Sequence, residues 1–306
     1  MRVLLTGISS FTGLWFARAL AGAGHEVVAP MRASAPTDPV RAARLDEAAK
    51  VADLIPATPF GSDRFLGLLA DYGPFDVLCH HAAEAANHKS PDFDVDAAVA
   101  ANTFNARTVL EMARDTGVQR LVITGSAFEA GEGQGSEPLR AFSPYGQSKT
   151  ETSLALQDEA AEAGLEWVKV VIPNPFGPYE GQTFQRFVMT RWSRGEAVHV
   201  SHPLYGRDNI PVDLLAAVYA KAAEGELGHH VSPSFYAGLT GDFFKRMASE
   251  VAPRTGWACE LTLADGHAFD EPETRLNLQS VEPAYFGWSE SAFWDAYAAY
   301  YAAALK

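Results

Sequence analysis

Tyr145 and Lys149 stand four residues apart behind Ser143-Pro144, which reads as a helix cap and first helical residue, so both side chains project from one helical face. A cation beside a phenol favours the phenolate and lowers the cost of using tyrosine as proton donor and acceptor near neutral pH. Upstream, Ser126 follows the apolar run Gln119 to Thr124, and its hydroxyl can hydrogen-bond a carbonyl oxygen while Tyr145 delivers the proton. Near the start, Gly7 and Gly13 flank the turn Thr6-Gly7-Ile8-Ser9-Ser10-Phe11-Thr12-Gly13 between a short apolar run and a helical pattern. Glycine there lets the backbone approach a pyrophosphate, whose charge then sits at the positive end of the helix. The second strand ends Pro30-Met31-Arg32, with no acid to take ribose hydroxyls and an arginine suited to an extra phosphate. The residues therefore favour NADP, with NAD as the alternative.

These groups need elements to carry them. Arg2 to Thr6 reads as a strand, Phe11 to Ala23 as a helix, and Glu26 to Ala29 as a second strand. Pro30 to Lys50 reads as a polar stretch, followed by a short strand holding Val51 and Ala52. Ser62 to Tyr72 is helical and Phe75 to Cys79 a buried strand; Ser90-Pro91 opens a long helix to about Thr116. Gln119 to Thr124 and Glu166 to Ile172 are further strands on either side of the Ser143-Pro144 helix. This alternation predicts an α/β fold, a Rossmann-type doubly wound parallel sheet. After Pro173 the pattern gives way to Pro-, Gly- and aromatic-rich loops, a smaller irregular C-terminal region closed by a helix from Ser289 to Leu305 with Phe293, Tyr297 and Tyr300 on its apolar face. The expected division is a dinucleotide-binding core over 1–172, to which a strand and helix near 207–235 return, and a substrate region over 173–206 and 236–306.

With 306 residues, 47% of them hydrophobic, the chain can bury a large core without staples. A net charge of -14 and no basic patch argue against nucleic acid as partner. Two cysteines make no disulfide framework, no apolar run reaches membrane-span length, and Met1-Arg2 leads straight into Val3-Leu4-Leu5; a cytoplasmic location is expected. His199 with His202, and His229 with His230, lack the companions and spacing of a zinc site, so no metal is expected. His80 and His81 read most simply as satisfied structural histidines, and Cys79 as a small core residue.

Together these residues resemble the extended short-chain dehydrogenases/reductases, the family of nucleotide-sugar epimerases, dehydratases and ketoreductases, nearly end to end. The turn through Gly7, Ser10, Phe11 and Gly13 is similar to the family's cofactor turn, and Asp53-Leu54 to its adenine-contacting region. Asp76 to Ala83 resembles the strand and segment that line the cofactor, which implies contacts from His81, Ala82 and Ala83; Pro173 is implied as a further one. Asn102, Ser126, Tyr145 and Lys149 fall on the catalytic asparagine, serine, tyrosine and lysine, and the resemblance implies that Lys149 also holds the nicotinamide ribose. Asn174-Pro175-Phe176-Gly177-Pro178 resembles the motif that leads into the substrate region, Arg207-Asp208 with Val212-Asp213 resembles the family's Arg-Asp strand and Val-Asp helix start, and Phe286-Gly287-Trp288 is similar to the Leu-Gly-Trp near its C-terminus; the resemblance implies substrate contacts from Asn174 and Arg207 as well as Ser126, Ala127 and Phe128. Two features depart from the pattern: Ser10 stands where a glycine is usual, and Phe128-Glu129-Ala130-Gly131 lacks the usual Val-Tyr-Gly.

The neighbours of Ser126 narrow the reaction. Ala127 and Phe128 stand where dehydratases of the family carry acids, and Ala127 where the epimerase-reductases carry cysteine, so dehydration and C3/C5 epimerisation are both disfavoured. The expected function is an NADP-dependent reduction of a nucleotide-linked 4-keto-6-deoxy sugar, with Tyr145 as proton donor. The alternatives are a 4-epimerase with tightly held NAD(P), a reductase of a non-sugar carbonyl, and a non-catalytic dinucleotide sensor. The alanine-rich stretches Ala97 to Ala113 and Leu154 to Ala163 suit close packing, and the resemblance implies a homodimer formed through them.

Overall fold

The structure, a computed structural model, describes residues 1–33, 38–135, 139–265 and 271–305. Through residue 172 the elements are β1 (Arg2–Leu5), α1 (Phe11–Gly22), β2 (Glu26–Pro30), α2 (Pro39–Ala48), β3 (Asp53–Ile55), α3 (Asp63–Tyr72), β4 (Val77–His80), α4 (Val95–Asn102), α5 (Ala106–Asp115), β5 (Arg120–Ser126), β6 (Gln134–Gly135), α6 (Pro144–Ala163) and β7 (Glu166–Ile172). Then follow β8 (Asn174–Phe176), α7 (Phe184–Ser193), β9 (Val198–Val200), β10 (Gly206–Pro211), α8 (Val212–Glu224), β11 (His230–Val231), β12 (Pro233–Ser234), β13 (Tyr236–Leu239), α9 (Thr240–Thr255), β14 (Leu261–Leu263), β15 (Thr274–Leu276), β16 (Gln279–Ser280) and α10 (Glu290–Ala304). Polar side chains cap the helices at their starts: Ser10, Asp38, Ser62, Asp94, Ser143, Thr183 and Ser289 each accept a backbone N–H from the first turn.

Two compact units form. The first comprises Met1–Glu132, Leu139–Ile172 and Ala216–Ser232. Its seven-stranded sheet runs in the order β11-β7-β5-β4-β1-β2-β3, and every pairing is parallel. The chain winds outward from β1 to β3 and then crosses back to β4 on the other side of β1, so the β1/β4 boundary is the switch point at which ligands of such sheets bind. One face buries Leu4, Leu78, Leu121 and Ile123 under Phe65 and Leu69 of α3, Val109 and Leu110 of α5, and Leu156 and Ala160 of α6. Elsewhere in the unit, Phe16 of α1 stacks on Tyr219 of α8, ring centroids 3.8 Å apart.

The second unit comprises Gly133–Pro138, Pro173–Leu215 and Pro233–Lys306. Its mixed sheet centres on β10, parallel to β8 and β15 and antiparallel to β13. Its core is aromatic: Phe176, Trp192, Phe243, Phe244, Phe293, Trp294 and Tyr297 pack together with Met247 and Val251. Among the described residues no helix is long and apolar enough to cross a membrane.

Several local expectations are corrected. The polar stretch before Lys50 holds α2, whose Asp38-Pro39 start is a cap followed by a preorganised first residue. The third strand lies at Asp53–Ile55 rather than at Val51 and Ala52. The single helix expected from Ser90 is two helices: Asp94 is the cap, while Ser90 Oγ accepts the Asp92 N–H within a turn. Between them Asn105 adopts a left-handed conformation, φ 55°, and its amide donates to the Gly61 carbonyl. On α10 the buried stripe is Phe293, Trp294, Tyr297, Ala298 and Tyr301, and Tyr300 is only half-buried.

Candidate active site

The turn after β1 is held against the end of β4. Thr6 Oγ1 accepts the backbone N–H groups of His81 and Ala82 at 3.0 and 2.9 Å. Gly7, at φ +80°, lies so close that a Cβ would meet the Ala82 nitrogen at 2.8 Å, and a Cβ on Gly13 would meet the Gly7 carbonyl oxygen at 2.3 Å. Ser10, in the position of the usual glycine, caps α1 by accepting the Gly13 N–H at 2.9 Å. Its hydroxyl and that of Thr12 both lie within 3.0 Å of His81 Nε2. Burial, then the charges of Lys149 and His80, push His81 down to about 3, so the ring there is neutral. The first-turn N–H groups of Phe11 and Thr12 have no partner among the described residues, so the end of α1 keeps two donors for an anion. A closely packed glycine turn facing the switch point, with free donors at a helix start, fits a dinucleotide pyrophosphate. Arg32, beyond β2, is 68% exposed and pairs with Glu84 at 2.6 Å, while Asp53 is exposed and Leu54 half-buried on the edge strand β3.

Ser126 closes the carboxyl end of β5, and Lys149 is tied to it. Lys149 is buried, and its Nζ donates to the Thr124 carbonyl at 2.7 Å. Burial pulls Lys149 down, the Glu129 charge opposes this, and the Lys169 charge adds to it. One turn before it on α6, Tyr145 sits with His88 and Phe93 edge-on to its ring, centroids 5.5 and 5.8 Å away. Its hydroxyl has no hydrogen-bond partner among the described residues. Lys149 was expected to draw the phenol down, but its ammonium is aimed at Thr124, and burial with the Glu129 charge pushes Tyr145 up to about 12. The phenol of Tyr145 is therefore protonated through the neutral range in this arrangement. Ser126 Oγ accepts the Phe128 N–H at 3.2 Å, and Ala127 N–H donates to the Ile172 carbonyl. The start of α6 is tied to this turn by Phe142 N–H on the Phe128 carbonyl and by stacking of the Phe128 and Phe142 rings at 4.8 Å. Gly146 is required for this contact, because a Cβ would meet the Phe128 oxygen at 2.3 Å.

Asn102 is placed differently from a group free to react. Its Oδ1 accepts the Glu84 N–H at 2.7 Å and its Nδ2 donates to Thr152 at 3.2 Å, which ties the segment after β4 to α6. Pro173, Asn174 and Arg207 belong to the second unit. There Asn174 pairs with Asn209 across β8 and β10. The Arg207 guanidinium donates to the Gly206 and Glu273 carbonyls at 2.9 Å, pairs with Glu271 at 2.9 Å and lies over the Tyr205 ring at 4.4 Å.

The model of the NAD dependent epimerase/dehydratase family matches residues 3–230, which covers both the cofactor turn and the Ser126, Tyr145, Lys149 cluster. The chain belongs to this family. Like other NAD-dependent epimerase/dehydratases it is an enzyme of the extended short-chain dehydrogenase/reductase type. No curated protein sequence gives a significant match. Among solved structures, the UDP-glucose 4-epimerase of Thermotoga maritima with UDP-glucose is 18% identical over 100% of both chains, TM-score 0.73. The UDP-N-acetylglucosamine 4-epimerase of Methanobrevibacter ruminantium, in complex with UDP-N-acetylmuramic acid, is 15% identical over 99% of this chain and 98% of its own, TM-score 0.75. The dTDP-glucose 4,6-dehydratase of Streptomyces venezuelae, with NAD bound, is 19% identical over 98% and 97%, TM-score 0.70. At these identities the likeness is one of fold.

Residue-by-residue reading missed the acids after Ser126. Glu129 and Glu132 are buried against Lys169 of β7. The signal was present: a lysine inside the apolar run Glu166 to Ile172 needs a buried counter-charge.

Proposed function

We propose that the protein catalyses hydride transfer at one carbon of a nucleotide-linked sugar, as net reduction of a 4-keto-6-deoxy sugar with NADPH. The observation that supports this reading is the hydrogen bond from Lys149 Nζ to the Thr124 carbonyl, which ties α6, one turn beyond Tyr145, to the end of β5 two residues before Ser126. Ser126 Oγ holds the substrate carbonyl oxygen, with Ala127 and Phe128 beside it, and Tyr145 donates the proton that converts this oxygen to a hydroxyl. Lys149 holds the cofactor ribose, and Asn102 keeps the segment after β4 in place. The nicotinamide supplies the hydride when bound. Its pyrophosphate would lie on Gly7, Ser10, Phe11 and Gly13, flanked by His81, Ala82 and Ala83, with Asp53 and Leu54 toward the adenine and Arg32 on the ribose phosphate that distinguishes NADP from NAD. Glu129 does not make this site a dehydratase, because its carboxylate is fully buried on the Ser126 amide and Lys169.

Reduction of a carbonyl compound lacking a diphosphate is a second reading, favoured by Arg207, whose guanidinium is already occupied by two carbonyls and Glu271. Titration of nucleotide-free protein with NADPH, NADH, UDP, GDP, CDP and dTDP tests both. One clear nucleoside diphosphate binder with reversible NADPH preference supports the sugar reading, and no diphosphate binding supports the second. Tightly retained NAD with no net NADPH consumption would replace both with a 4-epimerase. A cytoplasmic homodimer is part of the proposal. Phe104 beyond α4 and Leu154 on α6 leave large apolar side chains 58% and 56% exposed, as a buried interface would need. A solution mass equal to one chain would remove the dimer.

A further inference from the structure

Beneath the turn after β5 lies a buried ion network that the proposed reaction does not use. Glu129 is fully buried, and Lys169 and Glu132 nearly so. Lys169 Nζ stands 2.5 Å from Glu129 Oε2 and 2.5 Å from Glu132 Oε1, and Glu132 Oε2 lies 2.9 Å from His230 Nε2. The other Glu129 oxygen, Oε1, accepts the Ser126 backbone N–H at 2.8 Å, while the Glu129 N–H donates to the Ser126 carbonyl at 3.0 Å. Glycine at 125 makes room for the network: a Cβ there would meet Lys169 Cε at 2.6 Å and Glu129 Oε1 at 3.1 Å. Burial pulls the Lys169 ammonium down, but the two carboxylates outweigh it and hold it up; Glu132 is kept low by His230 and Lys169 against its own burial. Apolar side chains could fill this volume without desolvating charges, so the network is poorly explained by stability alone.

We propose that Glu129 is a positioning residue for the reaction proposed above: anchored by Lys169, its carboxylate fixes Ser126 through the backbone and sets the field around Tyr145 and Lys149. The inference rests on the Tyr145 reading of function. Tyr145 is faced by Glu129 from the turn and by His88 from the segment after β4, while the ammonium of Lys149 on its own helix is turned to Thr124. Lys149 is faced by Glu129, by Lys169 from β7 and by His80 and His81 at the end of β4. In that field an anion keeps the phenol protonated and offsets the Lys169 charge on Lys149. Tyr145 is thereby kept in the form that donates, the direction a carbonyl reduction needs.

The test follows the ring carbon Cζ of Tyr145 by 13C NMR across pH in NADP+-loaded protein, the signal being assigned by its loss in Tyr145→Phe. Glu129→Gln keeps an acceptor for the Ser126 amide and removes the charge, so the Tyr145 midpoint is expected to fall by about half a pH unit or more. Glu132→Gln, which leaves Glu129 and Lys169 paired, is expected to leave the midpoint in place. A folded Glu129→Gln protein with an unmoved midpoint, or an equal shift from Glu132→Gln, overturns the proposal. Where Glu129→Gln alone does not fold, Glu129→Gln combined with Lys169→Met removes both members of the pair; because the opposing Lys169 charge goes with it, a smaller fall of the Tyr145 midpoint is expected, and an unmoved or raised midpoint overturns the proposal. Wild-type turnover in Tyr145→Phe would remove the functional reading instead, and the midpoint shift would still be readable.

Discussion

The Nζ of Lys149 lies 2.7 Å from the carbonyl oxygen of Thr124, so the ammonium is fixed by the sheet rather than by its own helix. A lysine held in this way has a defined position before anything binds, which is the condition for acting on a bound ribose. Lys149→Met is therefore expected to lower kcat about a hundredfold or more. Lys149→Arg, whose planar fork cannot reproduce a single point donor, is expected to recover little of it. Steady-state kinetics on the identified substrate checks both.

Gly146 supplies a case in which the usual helix rule reverses. Glycine to alanine inside a helix normally stabilises by about 1 kcal/mol. Here the added Cβ would stand 2.3 Å from the Phe128 carbonyl oxygen, and backbone is the atom that must yield. Gly146→Ala is expected to cost about 1–3 kcal/mol and to reduce turnover, since the Tyr145 turn would move off the Ser126 turn. A thermal melt with an unchanged or raised midpoint would contradict this.

Arg32 is a nearly pure test of cofactor choice. Its ion pair with Glu84 is exposed and contributes about 0–1 kcal/mol, so its removal should leave the melt almost unchanged. Arg32→Ala is expected to weaken NADPH binding about tenfold or more while leaving NADH binding within about twofold, read by fluorescence titration. Equal loss for the two nucleotides would remove the phosphate role.

Glu180 gives a pH dependence with a definite sign. It is buried in the second unit, where Thr183, Tyr297 and Tyr301 donate hydroxyls to it at 2.6, 2.9 and 2.7 Å. Burial, outweighing those three bonds, pushes its carboxyl up to about 7. A carboxyl raised on folding contributes stability below its ordinary value of 4.5, and that contribution is lost as pH rises through about 7. Glu180→Gln should therefore gain on the wild type by about 2–4 °C in Tm between pH 5 and pH 8. A Tm difference that shrinks over that interval would reverse the assignment.

Local chemistry explains what could be read beforehand. Ser62, Ser143 and Ser289 announce their helices, and the apolar runs of β1, β4, β5 and β7 are too short and too branched for anything but buried strands. The helix α2 was hidden because its surface is charged and its core contribution is small, leaving only Asp38-Pro39 to mark it. The break at Asn105 depends on Gly61, far away in sequence, which accepts its side-chain amide. In the second unit many strands are only two to four residues long, below the length at which alternation can be seen. Tyr145, Lys149 and Ser126 stand out in the sequence because spacing and position mark them. The role of Glu129 does not, because its partner Lys169 arrives from another strand and only the fold brings the two together.

The first unit is assembled from three stretches of chain, the last of them Ala216–Ser232, which brings most of α8 and the edge strand β11. This has a consequence for synthesis on the ribosome. The nucleotide-binding half cannot finish folding when residue 172 emerges; it must wait until forty-odd residues of the other half have been made and the final strand is released. A nascent chain halted short of residue 219 would expose both the flank of β7 and the face of Phe16 that Tyr219 covers, an interval in which chaperones have a surface to hold.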